Sequence, residues 1–419
     1  MQKPKGTYDV LPNDVKKWQR LEDTLRSVCL YYNYKEIRTP MFERTEVFHR
    51  SSGEESDIVK KETYTFNDRG NRSMTLRPEG TAAVVRAFVE NKLYAETIQP
   101  VKVYYMAPMF RYERPQAGRY RQHRQFGVEV FGVGTPSVDA EVISMSYHIY
   151  DLLGIDKLVV KINSLGDEES RDSYREALVN YLTPMKENLC KDCQERINSN
   201  PLRVLDCKVD SFSNPPRMSE YRTDEAKDYF EGVCENLDAL GIPYEIDETL
   251  VRGLDYYNHT VFEIHATIEG FGSKTALGGG GRYNKMVKEF GGPEVSAIGF
   301  GLGMERMLLA LEASGIDLVK EDSINCFVAT MPETKLEGIR LVDGLRLSGF
   351  VTDLSHEDKS LKAQLKQANR LNAEAIIILG TEEYERGEVM VKHNSNQELI
   401  KLENIIDYLD GLNLGGENE

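Results

Sequence analysis

Two strand-length runs, VKVYYMAPMFRYE at 101–113 and HRQFGVEVFG at 123–132, flank the loop RPQAGRYRQ, and this stretch constrains the fold more than any other. Side chains alternate across a strand, so Gln125, Gly127, Glu129 and Phe131 are expected on one face, and Arg111 with Glu113 on one face of the neighbouring strand. An arginine, two carboxylates and an amide converging on one side of a sheet survive there only if they pair with one another or hold a ligand. Gly127 favours the ligand, because a glycine lets a flat molecule approach the backbone. A salt-bridged sheet face is the competing reading. Arg111, Arg114, Arg119, Arg121 and Arg124, with His123 among them, fall within fourteen residues. They read either as a patch for phosphates or as a solvated charge run.

The rest of the chain falls into three blocks. Residues 14–32 carry Val15, Trp18, Leu21, Leu25, Val28 and Tyr32 at helical spacing, with Asn13 as the expected N-cap. Pro40, in the extended run KEIRTPMFE, marks an edge or an interface, since proline cannot donate to a ladder. A short apolar stretch at 74 leads through RPEGT into a helical pattern on Ala82, Val85, Ala87 and Val89; residues 137–153 are a further helix and LVVKINSLG a strand. Residues 167–245 are polar and mostly helical, broken by Pro184, Pro201, Pro215 and Pro216, and read as an inserted small domain. Strand-like, glycine-rich sequence returns at 249–301, followed by a helix at about 303–313. From about 326, the strands INCFVAT, GFVTDLS and AEAIIILG alternate with helical patterns, which implies βαβ crossovers and a mostly parallel small sheet. EVMVKH and QELIKL add strands and ENIIDYLDGL a final helix, and the terminal GGENE is expected to fray.

Composition excludes several classes. Six cysteines in 419 residues, most in separate segments, do not make a secreted disulfide scaffold. No apolar run approaches the ~18–20 residues of a membrane span, and MQKPKGTYDVLP lacks the apolar core of a secretory signal. A cytoplasmic chain with no membrane partner is expected. A net charge of −16 argues against a protein coated with nucleic acid, though not against a local RNA contact. Cys190-x2-Cys193 with Cys207 and Cys234 has only loose zinc-ribbon spacing, since no second C-x2-C follows. Inert thiols are the favoured reading, and no protein-ligated metal is expected.

Three more segments carry chemistry. Gly278–Gly281 read either as bare backbone beneath a ligand's ring or phosphate, or as a flexible turn. In SAIGFGLGMERMLLAL, glycines run into a helix whose first turn holds Arg306, a position unfavourable to a cation unless a polyphosphate binds there; Glu305 beside it would partly neutralise the charge. G-x-x-x-x-G-K-[ST] is absent, so ATP chemistry would need a different phosphate site. In LVRGLDYYNHTVFEI, Arg252 precedes a turn, and the adjacent Tyr256 and Tyr257 are expected on opposite faces, so that at most one lines a given pocket.

Together, KEIRTPMFE, FRYERP…FGVEVFG and GFGLGMERM resemble motifs 1, 2 and 3 of the class II aminoacyl-tRNA synthetases. PKGTYDVLP, TLRPEGTAAVVRA, RYERPQAGRYRQHRQFGVEVFG and LVRGLDYYNHTVFE resemble the histidine-specific branch, over essentially the whole chain. The resemblance implies an α+β catalytic domain at 1–325, an antiparallel sheet flanked by helices with a helical insertion at about 167–245, and a C-terminal α/β anticodon-binding domain at 326–419. It implies a homodimeric ligase of protein biosynthesis acting on L-histidine, ATP with Mg2+, and tRNA(His). By the same resemblance, Arg111 would hold the α-phosphate and the histidine carboxylate side, Glu113 the adenine or ribose region, Arg119 the outer phosphates and Arg306 the γ-phosphate. Arg252 would sit on the α-phosphate and do work that other members of the class give to a metal ion. Glu79, Thr81, Gln125 and Glu129 would receive the α-amino group, and Tyr257 with Tyr256 and Tyr283 would line the imidazole site. Arg114 and Gln116 would touch the tRNA acceptor end.

Two rivals stand beside this reading. One is a histidine-binding regulatory paralogue of ATP phosphoribosyltransferase, which generally lacks the C-terminal domain and erodes the ATP arginines; here Arg111, Arg252, Arg306 and the C-terminal block are all present. The other is a class II enzyme for a different amino acid, against which the R-G-L-D-Y-Y run argues.

Overall fold

Apolar alternation on both sides of the arginine-rich loop folds into two ten-residue antiparallel strands, paired from Val101↔Phe131 to Phe110↔Gln122. The computed structural model describes residues 1–52, 58–205, 207, 209–269, 276–319 and 323–414. The terminal GGENE lies outside the described residues. The chain divides into two units, Met1–Val319 and the residues that follow.

In the first unit the strands are β1 (Lys35–Glu36), β2 (Phe42–Arg44), β3 (Tyr64–Asn67), β4 (Ser73–Leu76), β5 (Val101–Phe110), β6 (Gln122–Phe131), β7 (Leu158–Ser164), β8 (Tyr244–Ile246), β9 (Asn258–Ala266), β10 (Ala276–Arg282) and β11 (Ala297–Gly303). The helices are α1 (Pro12–Tyr31), α2 (Thr45–Ser52), α3 (Thr81–Glu90), α4 (Pro136–Leu152), α5 (Glu168–Leu182), α6 (Lys191–Ser199), α7 (Asp224–Ala239), α8 (Met286–Glu289) and α9 (Met304–Ala313). Eight strands form one sheet in the order β1-β5-β6-β11-β10-β9-β7-β8, and β2-β4-β3 form a small second sheet. The six inner strands run antiparallel, while the edge strands β1 and β8 pair parallel to their neighbours.

The alternation expected of β6 is present. Phe126, Val128 and Val130 enter the main core with Leu21 and Leu25 of α1, Val142 and Ile143 of α4, Phe230 and Val233 of α7 and Met307 of α9. Gln125, Gly127, Glu129 and Phe131 therefore take the other face, where Phe131 packs with Tyr105 and Tyr283. Arg111 and Glu113 depart from the expected alternation, because β5 ends at Phe110. Arg111 N–H still donates to Arg121 O, but Glu113 N–H turns back to Arg111 O, so the two lie in a loop and not on a strand face. The N-cap of α1 is Leu11 and not Asn13. Pro12 opens the helix, where its missing N–H removes no bond, and this places Asn13 inside the first turn.

Gly278–Gly281 form no turn: they lie inside β10, between β9 and β11. The approach of the neighbouring backbones is close enough that a Cβ on Gly280 would stand 1.9 Å from Gly299 O. The polar stretch read as an insertion has two parts. Its last helix, α7, contributes Phe230, Val233 and Leu237 to the main core, and β8 pairs with β7. The earlier part has two small clusters of its own, Leu182, Cys193, Ile197 and Val204 in one, Tyr174, Leu178 and Met218 in the other.

In the second unit, β12 (Cys326–Thr330), β13 (Thr352–Leu354), β14 (Ala375–Leu379), β15 (Glu388–His393) and β16 (Asn396–Lys401) follow the order β13-β12-β14-β15-β16. The first three strands are parallel, and β15 and β16 are added antiparallel. The sheet is therefore mixed, because a hairpin connection reverses direction where a helical crossover preserves it. Its helices are α10 (Lys335–Leu347), α11 (Leu361–Arg370), α12 (Thr381–Glu385) and α13 (Ile405–Gly411).

One buried ion pair ties three elements of the first unit together. Arg282, at the end of β10, donates through Nε to Asp139 of α4 at 3.0 Å, and Thr260 of β9 donates to the same carboxylate at 2.6 Å. The Arg282 and Asp139 side chains are 1% and 0% exposed. Asp139→Ala leaves a buried guanidinium uncompensated and is expected to destabilise the first unit by about 3–5 kcal/mol, read from urea unfolding. A loss below about 1 kcal/mol would show that the pair is not what joins these elements.

Candidate active site

Beyond the ends of β5 and β6, a cavity of about 990 Å³ opens on the sheet, and Arg111, Arg119, Arg252 and Arg306 all line it. Each arginine is placed by a different device. Arg111 Nε donates to Pro78 O at 2.7 Å, which anchors it on the turn before α3. Arg119 closes a small hairpin with Gln116 and lies 3.7 Å from Glu113. Arg252 forms an ion pair with Glu263 of β9, while its Nε is buried with no hydrogen-bond partner among the described residues. Arg306 stands in the first turn of α9.

The electrostatics follow from this crowding. Burial, then the Arg119 charge, lowers the affinity of Arg306 for its proton. Burial, then Arg111, brings the pKa of His123 down to about 3, so this ring is neutral at physiological pH. Burial alone would raise Glu263, but His265 at 3.0 Å and Arg252 outweigh it and hold the carboxyl below its ordinary value. Glu305 does not neutralise Arg306. It turns away, accepting from Tyr8 at 2.8 Å and from the Arg124 N–H at 2.8 Å. A cavity lined by more fixed guanidiniums than carboxylates is suited to a polyanion.

A second cavity, of about 50 Å³, adjoins the first through Gln125, Arg252 and Gly301. Glu79, Thr81, Tyr256, Tyr257 and Tyr283 line it as well. Both oxygens of Glu79 accept backbone N–H groups of α3, from Thr81 at 2.6 Å and Ala82 at 2.8 Å. Behind this wall Glu129 accepts from the Thr81 hydroxyl at 2.6 Å and from the Tyr283 hydroxyl. Gly299 makes room for Glu129, since a Cβ there would stand 1.9 Å from Oε2. Burial, added to by Glu79 and opposed by the two hydroxyl donors, pushes the Glu129 pKa up to about 8. Tyr256 and Tyr257 line this cavity together, with ring centroids 4.5 Å apart. They precede β9, so the strand alternation expected of them does not apply.

The site thus gathers Arg111, Glu113, Arg119, Arg252 and Arg306 around one cavity, and Glu79, Thr81, Gln125, Tyr256, Tyr257 and Tyr283 around its neighbour, with Glu129 in support. Arg114 and Gln116 are exposed on the hairpin and line neither. The other two arginines of this stretch have partners outside both cavities: Arg121 stacks over Tyr112 at 4.0 Å, and Arg124, on β6, pairs with Glu22 at 2.7 Å. Sequence reasoning missed Glu263 and Tyr105. The signal for Glu263 was there, as an acidic residue at an alternating position of the apolar run VFEIHA. Tyr105 sits opposite Gly127 in the ladder and fills the space that residue leaves.

The model described as histidyl-tRNA synthetase matches residues 6–166 and 203–307, and the model described as anticodon binding domain matches 325–412. The chain is 54% identical over 400 residues to the histidine–tRNA ligase of Geobacillus kaustophilus, covering 94% of each chain. It is 50% identical over 417 residues to that of Listeria monocytogenes, covering 98% of each. Among solved structures, the apo histidyl-tRNA synthetase of S. aureus superposes with a TM-score of 0.85 at 43% identity, over 98% of this chain and 99% of that one. An ATP phosphoribosyltransferase regulatory subunit/histidyl-tRNA synthetase from Bacillus halodurans C shares the fold, with a TM-score of 0.65 at 23% identity, over 91% of this chain and 98% of that one.

Glu129 has a consequence for stability. Folded, it keeps its proton up to about pH 8; unfolded, it releases it near the ordinary carboxylate value of 4.5. The folded state binds the extra proton across that interval, so this group makes stability fall as pH rises through it. Glu129→Gln is expected to flatten the decline in unfolding free energy between about pH 5 and pH 8. Parallel declines in the two proteins would contradict the assignment.

Proposed function

The chain belongs to the histidyl-tRNA synthetase family, and from that premise we infer that it is a histidine–tRNA ligase, activating L-histidine with ATP and transferring it to tRNA(His) with release of diphosphate and AMP. The observation that carries the site assignment is the adjacency of two unlike cavities. One is lined by five arginines, Arg203 among them; the other is small, tyrosine-walled and backed by buried carboxylates.

In the first step, a histidine carboxylate oxygen bonds to the α-phosphorus, the bond to the bridging oxygen breaks, and diphosphate leaves. Charge builds on the non-bridging oxygens, and Arg111 and Arg252 stabilise it. One such preorganised donor contributes ~3–4 kcal/mol. Arg306 and Arg119 take the outer phosphates, which arrive with Mg2+, and Glu113 faces the adenine or ribose region. Glu129, with Glu79, Thr81 and Gln125, receives the α-ammonium, whose arrival displaces the proton that Glu129 holds in the empty site. Tyr256 and Tyr257 face the imidazole. The Tyr283 hydroxyl, already donating to Glu129, acts by orienting that carboxylate. Polar groups left unpaired by any other side chain reject it, by ~10⁴ or more where the site is fully polar.

In the second step, the 3′ hydroxyl of the terminal adenosine takes the histidyl group. Arg114 and Gln116, exposed on their hairpin, are suited to the acceptor end. We assign residues 1–325 to catalysis, with an insertion that begins near 167 and ends before α7 instead of at 245, and 326–419 to the anticodon. The exposed Met41, Phe42 and Phe66, the last two on the small second sheet with ring centroids 6.3 Å apart, support a homodimer built on that face. A cytoplasmic location is part of the proposal; among the described residues no helix is long and apolar enough to cross a membrane.

Exchange of labelled pyrophosphate into ATP, with the twenty amino acids added singly, is expected with histidine alone. Exchange with none would favour the regulatory paralogue, and exchange with another amino acid would move the substrate assignment. Arg252→Gln, which keeps a donor for Glu263, should lower histidine-dependent exchange by ~10²–10³ while leaving circular dichroism unchanged. A rate within about threefold of the parent would remove Arg252 from the mechanism.

A further inference from the structure

We propose that Cys190, Cys193, Cys207 and Asp210 form a structural zinc site in the insertion. The sequence spacing suggested Cys234 as a fourth ligand, but Cys234 lies on α7, which packs into the main core. The fourth group is instead a carboxylate. One ligand atom from each of Cys190, Cys193, Cys207 and Asp210 lies within 4.8 Å of all the others.

The spacing within the cluster is that of ligands and not of a disulfide. Cys190 and Cys207 Sγ are 3.8 Å apart. Two thiolates on a tetrahedral ion, each at ~2.3 Å, stand about 3.8 Å from one another, whereas a disulfide bond is ~2.05 Å long. Cys207 Sγ is 3.6 Å from Asp210 Oδ2, the further edge of the same small polyhedron.

The backbone is arranged for charged sulfur. The N–H groups of Val209 and Asp210 both point at Cys207 Sγ, at 3.4 and 3.3 Å. Cys190 is the N-cap of α6 and Cys193 lies in its first turn, where the helix end favours anions. Asp210 is itself fixed, accepting from the Cys190 N–H at 3.0 Å. Leu182, Ile197 and Val204 pack around Cys193, with Phe212 against them. That is a thin core, of the size at which small domains rely on a metal cross-link. Three thiolates and one carboxylate in a tetrahedron select zinc over harder cations.

The loop between the second and third ligands reaches the active site. Asn200 donates to Asp255 at 2.5 Å, in the loop that carries Arg252, Tyr256 and Tyr257. Arg203 and Cys207 line the large cavity. The ion would therefore brace one wall of that cavity.

The test uses the full chain. Elemental analysis after dialysis against a weak chelator should give one zinc per chain. Cys190→Ser and Cys207→Ser should fall to near zero, and Cys234→Ser should stay at one. The cobalt-loaded parent should show thiolate-to-cobalt charge transfer in the near ultraviolet with the visible bands of a tetrahedral ion. Asp210→Cys should raise the charge-transfer intensity in the proportion four to three. If the serine variants fail to fold, the cobalt spectrum of the parent decides alone. The proposal is overturned by a parent that retains no zinc, by a cobalt spectrum without charge transfer, or by a Cys190–Cys207 disulfide in peptide mapping.

Discussion

Five guanidinium groups around one cavity repel one another, and much of the first unit is arranged to keep them there. At an effective dielectric constant of ~20, two unit charges ~8 Å apart repel by ~2 kcal/mol, so no arginine would hold its place by preference. Arg111 is tied to a backbone carbonyl, Arg252 to a carboxylate that also touches a histidine, and Arg306 to the start of a helix packed into the core. The cost is borne by the sheet and relieved when a polyanion enters. Next to this, a buried carboxylate, Glu129, is kept neutral until a cation arrives. Both halves of the site are thus poised against their own charge in the absence of substrate, and a molecule carrying phosphates in one place and an ammonium in the other relieves both.

The strand pattern was legible where the strand continued and misleading where it stopped. Alternation along β6 correctly separated Phe126, Val128 and Val130 from the opposite face. The same rule failed for Arg111 and Glu113, one and three residues past the end of β5, and for Tyr256 and Tyr257, which lead into β9. A period-two rule says nothing about where a ladder ends, and functional side chains concentrate at such ends because the backbone there is free to aim them. The resemblance of short motifs supplied what periodicity did not, bringing Arg252 and Arg306 together from sequence positions 54 residues apart.

The other misses have a common cause. Four glycines in a row look like a turn until the neighbouring backbones are known, and Glu305 looks like a partner for Arg306 until Tyr8 is found on its other side. Asp210 carries no signal at all in a cysteine-spacing rule. In each case the deciding atom belongs to a segment distant in sequence or to a residue type that the rule does not count.

The placement of α7 has a consequence for how this body can vary. Parallel strands such as β7 and β8 need a crossover between them, and α7, packed in the core, already supplies it. Everything between Leu165 and Thr223 is then an excursion on a connection that is complete without it. The histidyl-tRNA synthetase family model is silent over 167–202, within that excursion. Length there can change without altering the register of any catalytic strand, provided that Asn200 still reaches Asp255 and Arg203 still walls the cavity, so the freedom of this appendage lies in the part away from that wall.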